Sequence, residues 1–165
     1  MSAQEPVKLI AALRWITGIL KLEHIPYQIS GGFAAHVYGA TRPVNDIDLV
    51  IPEKYFQKLY EKTKPYVTEG PVRHHGKKWD LELLALEYKG QVIDIGGAET
   101  SHITMKDAAG NDTKQWMNLV TDFSKSVMMD FEGMQLPIEP KESLAAYKRH
   151  LNGEHQKQDI EALEK

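Results

Sequence analysis

The chain has 165 residues, of which 42% are hydrophobic, and its formal charge of -3 comes from 23 acidic and 20 basic side chains. A chain of this length and composition is expected to form one globular domain, over residues 1–165, with a core of its own. Because the sequence contains no cysteine, it excludes disulfides, zinc–thiolate sites, iron–sulfur clusters and a cysteine nucleophile. It also lacks a long run of either charge sign, which speaks against binding DNA or RNA through bulk electrostatics.

The N-terminal segment, residues 1–24, has an apolar face that predicts a packing helix. Lys8, Arg14 and Lys21 interrupt this segment and it lacks a small-residue cleavage site, so it is typical neither of a signal peptide nor of a membrane span. We therefore expect a cytoplasmic protein with no membrane partner. The apolar stripe recurs at steps of four, three and four residues, as one helix face requires: it consists of Leu9, Leu13, Ile16 and Leu20.

A strand, a glycine turn and a helix are predicted next. Residues 27–30 are typical of a short strand, which Gly31 and Gly32 connect to a helix over residues 33–38. Residues 46–51 then alternate carboxylate and apolar side chains, which predicts a second strand.

The later part of the chain contains patterns for both helices and hairpins. Residues 96–115 are polar, rich in turn-forming residues and without periodicity, which predicts a mobile loop that could cover a site. The other predicted elements are a helix at residues 53–66, hairpins at 79–95 and 127–138, and helices at 141–151 and 156–163.

A pair of carboxylates on the second strand points to a metal site. Asp46 and Asp48 would project from one face of the strand, where their charges repel each other. A hard cation such as Mg²⁺ between them explains this arrangement, although an exposed face of an edge strand would also tolerate it. Asp94 lies in another apolar strand and is the preferred third ligand, because an unpaired buried charge is costly. Asp80 and Glu82 are rivals for that position.

The segment Ser30-Gly31-Gly32 is a candidate phosphate-binding turn. It joins a strand to a helix, and glycines there would let a phosphate approach backbone N–H groups. The same dipeptide could be required only by positive φ angles. Arg42 precedes the carboxylate pair closely, where it could contact the carboxylates or a triphosphate.

These residues together resemble a known family. Residues 31–52, GGFAAHVYGATRPVNDIDLVIP, and the later Asp94 are similar to the DNA polymerase β-type nucleotidyltransferases. Within them, the segment resembles the small bacterial branch that includes aminoglycoside and lincosamide nucleotidyltransferases and the nucleotidyltransferase toxins of abortive-infection systems. The resemblance implies an α+β nucleotidyltransferase fold, in which a central mixed β-sheet is flanked by helices and the C-terminus is helical.

The resemblance also implies a reaction. Asp46 and Asp48 would hold Mg²⁺ or Mn²⁺, and Asp94 would be a further ligand or the base for the acceptor hydroxyl. Ser30, Gly31, Gly32 and Arg42 would bind a nucleoside triphosphate such as ATP, and so would Lys148 on the C-terminal helix, with Arg149 as second choice. A nucleoside monophosphate would pass to a hydroxyl of a small molecule, an RNA or a protein. Antibiotic-modifying members usually carry additional helices that bind the acceptor.

Two other functions are compatible with these residues. The fold could bind a nucleotide without transferring it, as a regulatory module of toxin–antitoxin type with an antitoxin-like partner. The three carboxylates speak against this alternative, because like charges have no reason to converge without a metal. Hydrolysis of a phosphoester at the same metal site is weaker still, because it would leave the glycine turn unexplained.

Overall fold

A computed structural model describes residues 5–165. Residues 1–4 of the predicted N-terminal segment lie outside this range. The helices are α1 (Val7–Leu22), α2 (Gly31–Val37), α3 (Phe56–Thr63), α4 (Lys141–Lys148) and α5 (Glu154–Leu163). The strands are β1 (Gln28–Ser30), β2 (Asp46–Ile51), β3 (Val67–His75), β4 (Trp79–Tyr88), β5 (Gln91–Gly97), β6 (Ser101–Lys106), β7 (Asp112–Leu119), β8 (Val127–Phe131) and β9 (Met134–Ile138). The predicted α+β class, with a mixed sheet and a helical C-terminus, is confirmed.

All the described strands join one mixed sheet. Its order is β7-β6-β4-β5-β2-β1-β9-β8, and β3 pairs with β4 outside this path. The pairs β2–β5 and β1–β9 are parallel, and the other pairs are antiparallel. As a result, β2 lies in the interior of the sheet between β1 and β5, where its position is fixed on both edges.

Side chains along β2 point alternately into the core and toward the open face of the sheet. Ile47, Leu49 and Ile51 are buried, whereas Asp46 and Asp48 are half-buried between them. Helix α1 supplies much of the core that covers the apolar face. Its predicted stripe, Leu9, Leu13, Ile16 and Leu20, is fully buried, which confirms that helix. No helix within residues 5–165 has the length and apolar character needed to cross a bilayer.

The prediction of a mobile loop at residues 96–115 is wrong. This segment contains β6 and the start of β7, which form a hairpin closed by the turn around Asp107. Most side chains of β7 are exposed or half-buried, so the strand has little apolar patterning from which it could be recognised. Strand β3 was missed for the same reason, because most of its residues face solvent.

Candidate active site

Two of the three predicted carboxylates lie side by side on parallel strands. Asp48 of β2 is in register with Asp94 of β5, and neighbouring strands are about 4.8 Å apart. Asp46 lies two residues before Asp48, on the same face and roughly 7 Å along the strand. The three acidic side chains therefore share one region of the open face.

The carboxylates affect one another's protonation. Burial, followed by the charges of Asp94 and Asp46, raises the pKa of Asp48 to about 7. Burial also raises the pKa of Asp94, with further contributions from Asp46 and from Glu69 on β3. Burial is the larger cause of both pKa shifts, and the neighbouring negative charges add to it.

The rival carboxylates, Asp80 and Glu82, lie elsewhere. In β4, Ala85 is in register with Asp94, and side chains alternate, so these two acids project from the opposite face. Arg73 Nε donates a hydrogen bond to Asp80 Oδ1 at 2.7 Å, and Arg73 Nη1 is 3.8 Å from Glu82 Oε1. The hydrogen bond from Arg73 lowers the pKa of Asp80. Both acids are thus part of an ion-pair network away from Asp48.

The glycine turn packs directly against two predicted site residues. Gly31 has a φ angle of +63°, and a side-chain Cβ there would come within 2.7 Å of Asp48 Cγ. A Cβ on Gly32 would overlap the guanidinium of Arg42. The Gly31 N–H donates to Tyr147 Oη at 2.9 Å. The backbone of Gly32 is close enough to Asp48 to lower the pKa of that carboxyl, against the larger effect of burial. The Gly31 N–H, which the sequence assigned to a phosphate, is therefore engaged within the protein.

A small polar network lies behind the turn. Ser30 Oγ is 3.3 Å from Glu139 Oε1, to which it donates, and 3.2 Å from Tyr147 Oη. Glu139 Oε2 is buried and has no hydrogen-bond partner within residues 5–165. Burial raises the pKa of Glu139 to about 7. Sequence reasoning missed Glu139 and Tyr147, because neither belongs to a recognisable motif.

The two predicted cations of the site share a counter-ion that was also missed. Arg42 donates two hydrogen bonds to Asp159 of α5, both at 2.7 Å, and Lys148 Nζ donates a third at 2.9 Å. The side chains of Lys148 and Asp159 are buried. Arg149, the second choice on the C-terminal helix, is exposed and pairs with Glu164.

One cleft contains every predicted site residue. Its volume is about 1010 Å³, and it lies between the open face of the sheet and helices α4 and α5. The predicted residues that line it are Ser30, Gly31, Gly32, Arg42, Asp46, Asp48, Asp94 and Lys148. The cleft is large enough for a nucleotide-sized ligand.

The donor set fits a hard divalent cation. As the side chains are oriented, no group of three His, Asp or Glu residues within positions 5–165 is already arranged as a metal site. However, Asp46, Asp48 and Asp94 offer only carboxylate oxygens, which Mg²⁺ and Mn²⁺ prefer. A cation would also offset the burial and the charges of Asp94 and Asp46, which together raise the pKa of Asp48.

Comparison with known proteins shows the fold. No family model matches the sequence, and no characterised protein matches it in a sequence search. A candidate nucleotidyltransferase from Thermotoga maritima superposes with a TM-score of 0.70 at 20% identity, over 87% of this chain and 85% of that one. The lincosamide antibiotic adenylyltransferase LnuA gives a TM-score of 0.58 at 17% identity, over 92% and 94%. The antibiotic-resistance factor ANT(2'')-Ia gives 0.62 at 14% identity, over 94% and 87%. The chain therefore has the nucleotidyltransferase fold.

Proposed function

We propose that the protein is a metal-dependent nucleotidyltransferase that transfers a nucleoside monophosphate from a nucleoside triphosphate to a hydroxyl group. The observation that carries this proposal is the alignment of Asp48 with Asp94 across β2 and β5, in the cleft that also holds Arg42 and Lys148. The cleft thus contains both acidic groups, which a metal requires, and basic groups, which the phosphates of a triphosphate require.

The similarity of fold to LnuA and ANT(2'')-Ia also supports nucleotidyl transfer. LnuA is described as an adenylyltransferase and is known with lincomycin bound, and ANT(2'')-Ia is known with adenylyl-2''-tobramycin. In the second complex, the adenylyl group has been joined to the antibiotic. These relatives are distant in sequence, so they favour nucleotidyl transfer in general and leave the acceptor of this chain to be identified by experiment.

The residues of the cleft have different roles in the proposed reaction. Asp46, Asp48 and Asp94 would hold Mg²⁺ or Mn²⁺, which neutralises charge on the phosphates when bound. Arg42 and Lys148 line the cleft as the cations for a triphosphate, and Asp159 fixes their side chains. The acceptor oxygen bonds to the α-phosphorus, the α–β bridging P–O bond breaks and pyrophosphate leaves. The hydroxyl proton passes to Asp94, which is in register with Asp48.

The test is nucleotidyl transfer in the presence of Mg²⁺ or Mn²⁺. The protein is incubated with each α-labelled triphosphate and with tRNA, total protein or aminoglycosides, as wild type and as Asp46→Asn, Asp48→Asn and Asp94→Asn. We expect label transfer to fall by about 100-fold or more in these variants, because each removes a metal ligand. The matched control is Asp130→Asn, which changes an exposed aspartate of β8 outside the cleft.

Other outcomes would favour the alternatives. Metal-dependent triphosphate binding without transfer to any acceptor would favour a non-catalytic nucleotide-binding module, for which an antitoxin-like partner stays a prediction. Loss of triphosphate with water as the only acceptor would favour a hydrolase. If wild type neither binds a triphosphate with metal nor transfers label, the proposal is wrong.

A further inference from the structure

An apolar stripe runs along the floor of the cleft. Trp79, Leu81 and Leu83 alternate on β4, so their side chains project from one face of the sheet. All three are only partly buried and line the cleft, whereas Leu84 and Leu86 of the same strand are in the core. Large apolar side chains that stay accessible inside a cleft are a common feature of ligand sites.

The stripe continues directly from the carboxylates. Ala85 is in register with Asp94, and Leu83 is in register with Gly96, so the stripe begins one step along the sheet from Asp94. A Cβ on Gly96 would lie 3.2 Å from Leu81 Cδ1. Because Gly96 has no side chain, Leu81 can rest against β5 and the floor stays continuous.

The walls beside the stripe are also apolar. Trp79 packs edge-to-face on Tyr147, with 6.1 Å between ring centroids. Leu119 and Leu151 line the same cleft, together with Val120, which is 68% exposed. This part of the cleft therefore offers apolar and aromatic contacts.

Each acidic group of the cleft belongs to the proposed metal site, accepts hydrogen bonds within the protein or is buried. Asp46, Asp48 and Asp94 belong to the proposed metal site. Asp122 accepts hydrogen bonds from the backbone and hydroxyl of Ser124. Glu139 accepts one from Ser30 through Oε1, and its other oxygen, Oε2, is buried behind the glycine turn. An ammonium group lying on the stripe would therefore lose water without gaining a carboxylate partner, which is costly.

We propose that the acceptor is a neutral, amphipathic hydroxyl compound whose apolar face lies on Trp79, Leu81 and Leu83. Its hydroxyl would reach the α-phosphate beside Asp94. This inference rests on the proposed function, because it assigns the acceptor half of the same cleft. It excludes polycationic acceptors, which need acidic contacts along their length.

The experiment uses n-octyl β-D-glucoside, below the concentration at which it forms micelles, as a neutral amphipathic probe and neomycin as a polycationic probe. Binding is followed by the NMR signal of the Trp79 indole N–H, assigned with a Trp79→Phe variant. Transfer of label from α-labelled ATP to each probe is measured in parallel. The test variants are Leu81→Gln and Leu83→Gln. The matched control is Leu22→Gln, which changes a leucine that is 78% exposed at the end of α1.

We expect the glucoside, and not neomycin, to shift the Trp79 signal and to accept label. Leu81→Gln or Leu83→Gln should weaken glucoside binding by about tenfold or more, as loss of apolar contact in a pocket does, with ATP affinity unchanged. The inference is overturned if the glucoside leaves Trp79 unmoved, if neomycin is the probe that binds, or if the test variants behave as Leu22→Gln does. Failure of wild type to bind ATP with Mg²⁺ would instead overturn the proposed function, whatever the probe does at Trp79.

Discussion

Asp159 accepts two hydrogen bonds from Arg42, both at 2.7 Å, across 117 positions of the chain. Lys148 donates to the same carboxylate, so one buried anion joins the two cations of the cleft and ties α5 to it. Burial alone would raise the pKa of Asp159, but the hydrogen bonds from Arg42 and Lys148 outweigh it and hold the pKa below its usual value. The carboxylate therefore stays ionised at neutral pH.

Replacing Asp159 should destabilise the protein strongly. In Asp159→Ala, Arg42 and Lys148 lose a shared counter-ion, and breaking a buried ion pair costs about 3–5 kcal/mol. Denaturation in urea measures the loss in the free energy of unfolding. The control is Glu164→Ala, which breaks the exposed pair with Arg149 and should cost less than about 1 kcal/mol. Equal effects of the two substitutions would contradict this account of Asp159.

Gly31→Ala should cost more stability than the backbone conformation alone explains. Gly31 and Gly110 both have positive φ angles, +63° and +84°, but a Cβ on Gly110 meets nothing within 4 Å. Each alanine should cost about 1–2 kcal/mol for the left-handed conformation. Gly31→Ala should lose more, because its Cβ overlaps Asp48, and it should weaken metal-dependent binding of ATP. If thermal unfolding gives the same loss for both, Asp48 does not require the glycine.

Tyr147→Phe should leave the Gly31 N–H without its acceptor. A buried donor that loses its partner costs about 1–3 kcal/mol, and Ser30 loses a contact as well. Urea denaturation of Tyr147→Phe and of Tyr66→Phe, at a tyrosine that is 38% exposed, gives the comparison. A Tyr147→Phe protein as stable as the control would mean that this hydroxyl contributes nothing to holding the turn.

The metal-free protein should lose stability as the pH rises. The pKa of Asp48 is about 7 in the folded protein against 3.8 for an ordinary aspartate, so the folded state holds more protons between these values. The free energy of unfolding therefore falls as the pH rises from 3.8 to about 7. The contribution of Asp48 to stability is largest below this range. Asp48→Asn should flatten the dependence and raise Tm near pH 8, by about 2–4 °C for each kcal/mol of repulsion removed.

Added Mg²⁺ should reverse this trend in wild type, because the metal binds ionised carboxylates. Scanning calorimetry from pH 5 to 8, with and without Mg²⁺, checks both statements. If the Tm of metal-free wild type falls no more steeply with pH than that of Asp48→Asn, the raised pKa of Asp48 is contradicted.

Much of the site could be predicted because its residues lie in short, regular segments. The alternation of Asp46, Ile47, Asp48 and Leu49 allows only one strand orientation that buries the apolar side chains, and that orientation puts both acids on one face. The hairpin of β8 and β9 is confirmed with the bounds predicted, since Glu132 and Gly133 form its turn.

The remaining features depend on contacts between distant segments. Sequence reasoning recognised α5 as a helix but had no signal that Asp159, in an otherwise polar segment, would be buried against Arg42 and Lys148. The apolar stripe lies on β4, for which the sequence predicts only one strand of the hairpin at residues 79–95.

The structure gives a second reason for glycines at positions 31 and 32. The sequence makes hydrolysis the weaker alternative because hydrolysis would leave the glycine turn unexplained. The close approach of Asp48 and Arg42 to these glycines requires them in any case. The preference for transfer over hydrolysis therefore depends on an acceptor site, and the stripe beginning at Leu83 is the feature that favours one.

The most direct measurement is the affinity of Mn²⁺, followed by electron paramagnetic resonance with a non-hydrolysable ATP analogue present. Wild type and Asp130→Asn should bind Mn²⁺ equally, whereas Asp48→Asn and Asp94→Asn should each bind at least about tenfold more weakly, because each removes a carboxylate ligand. Equal Mn²⁺ affinity in all four proteins would contradict the claim that Asp48 and Asp94 hold a metal for nucleotidyl transfer.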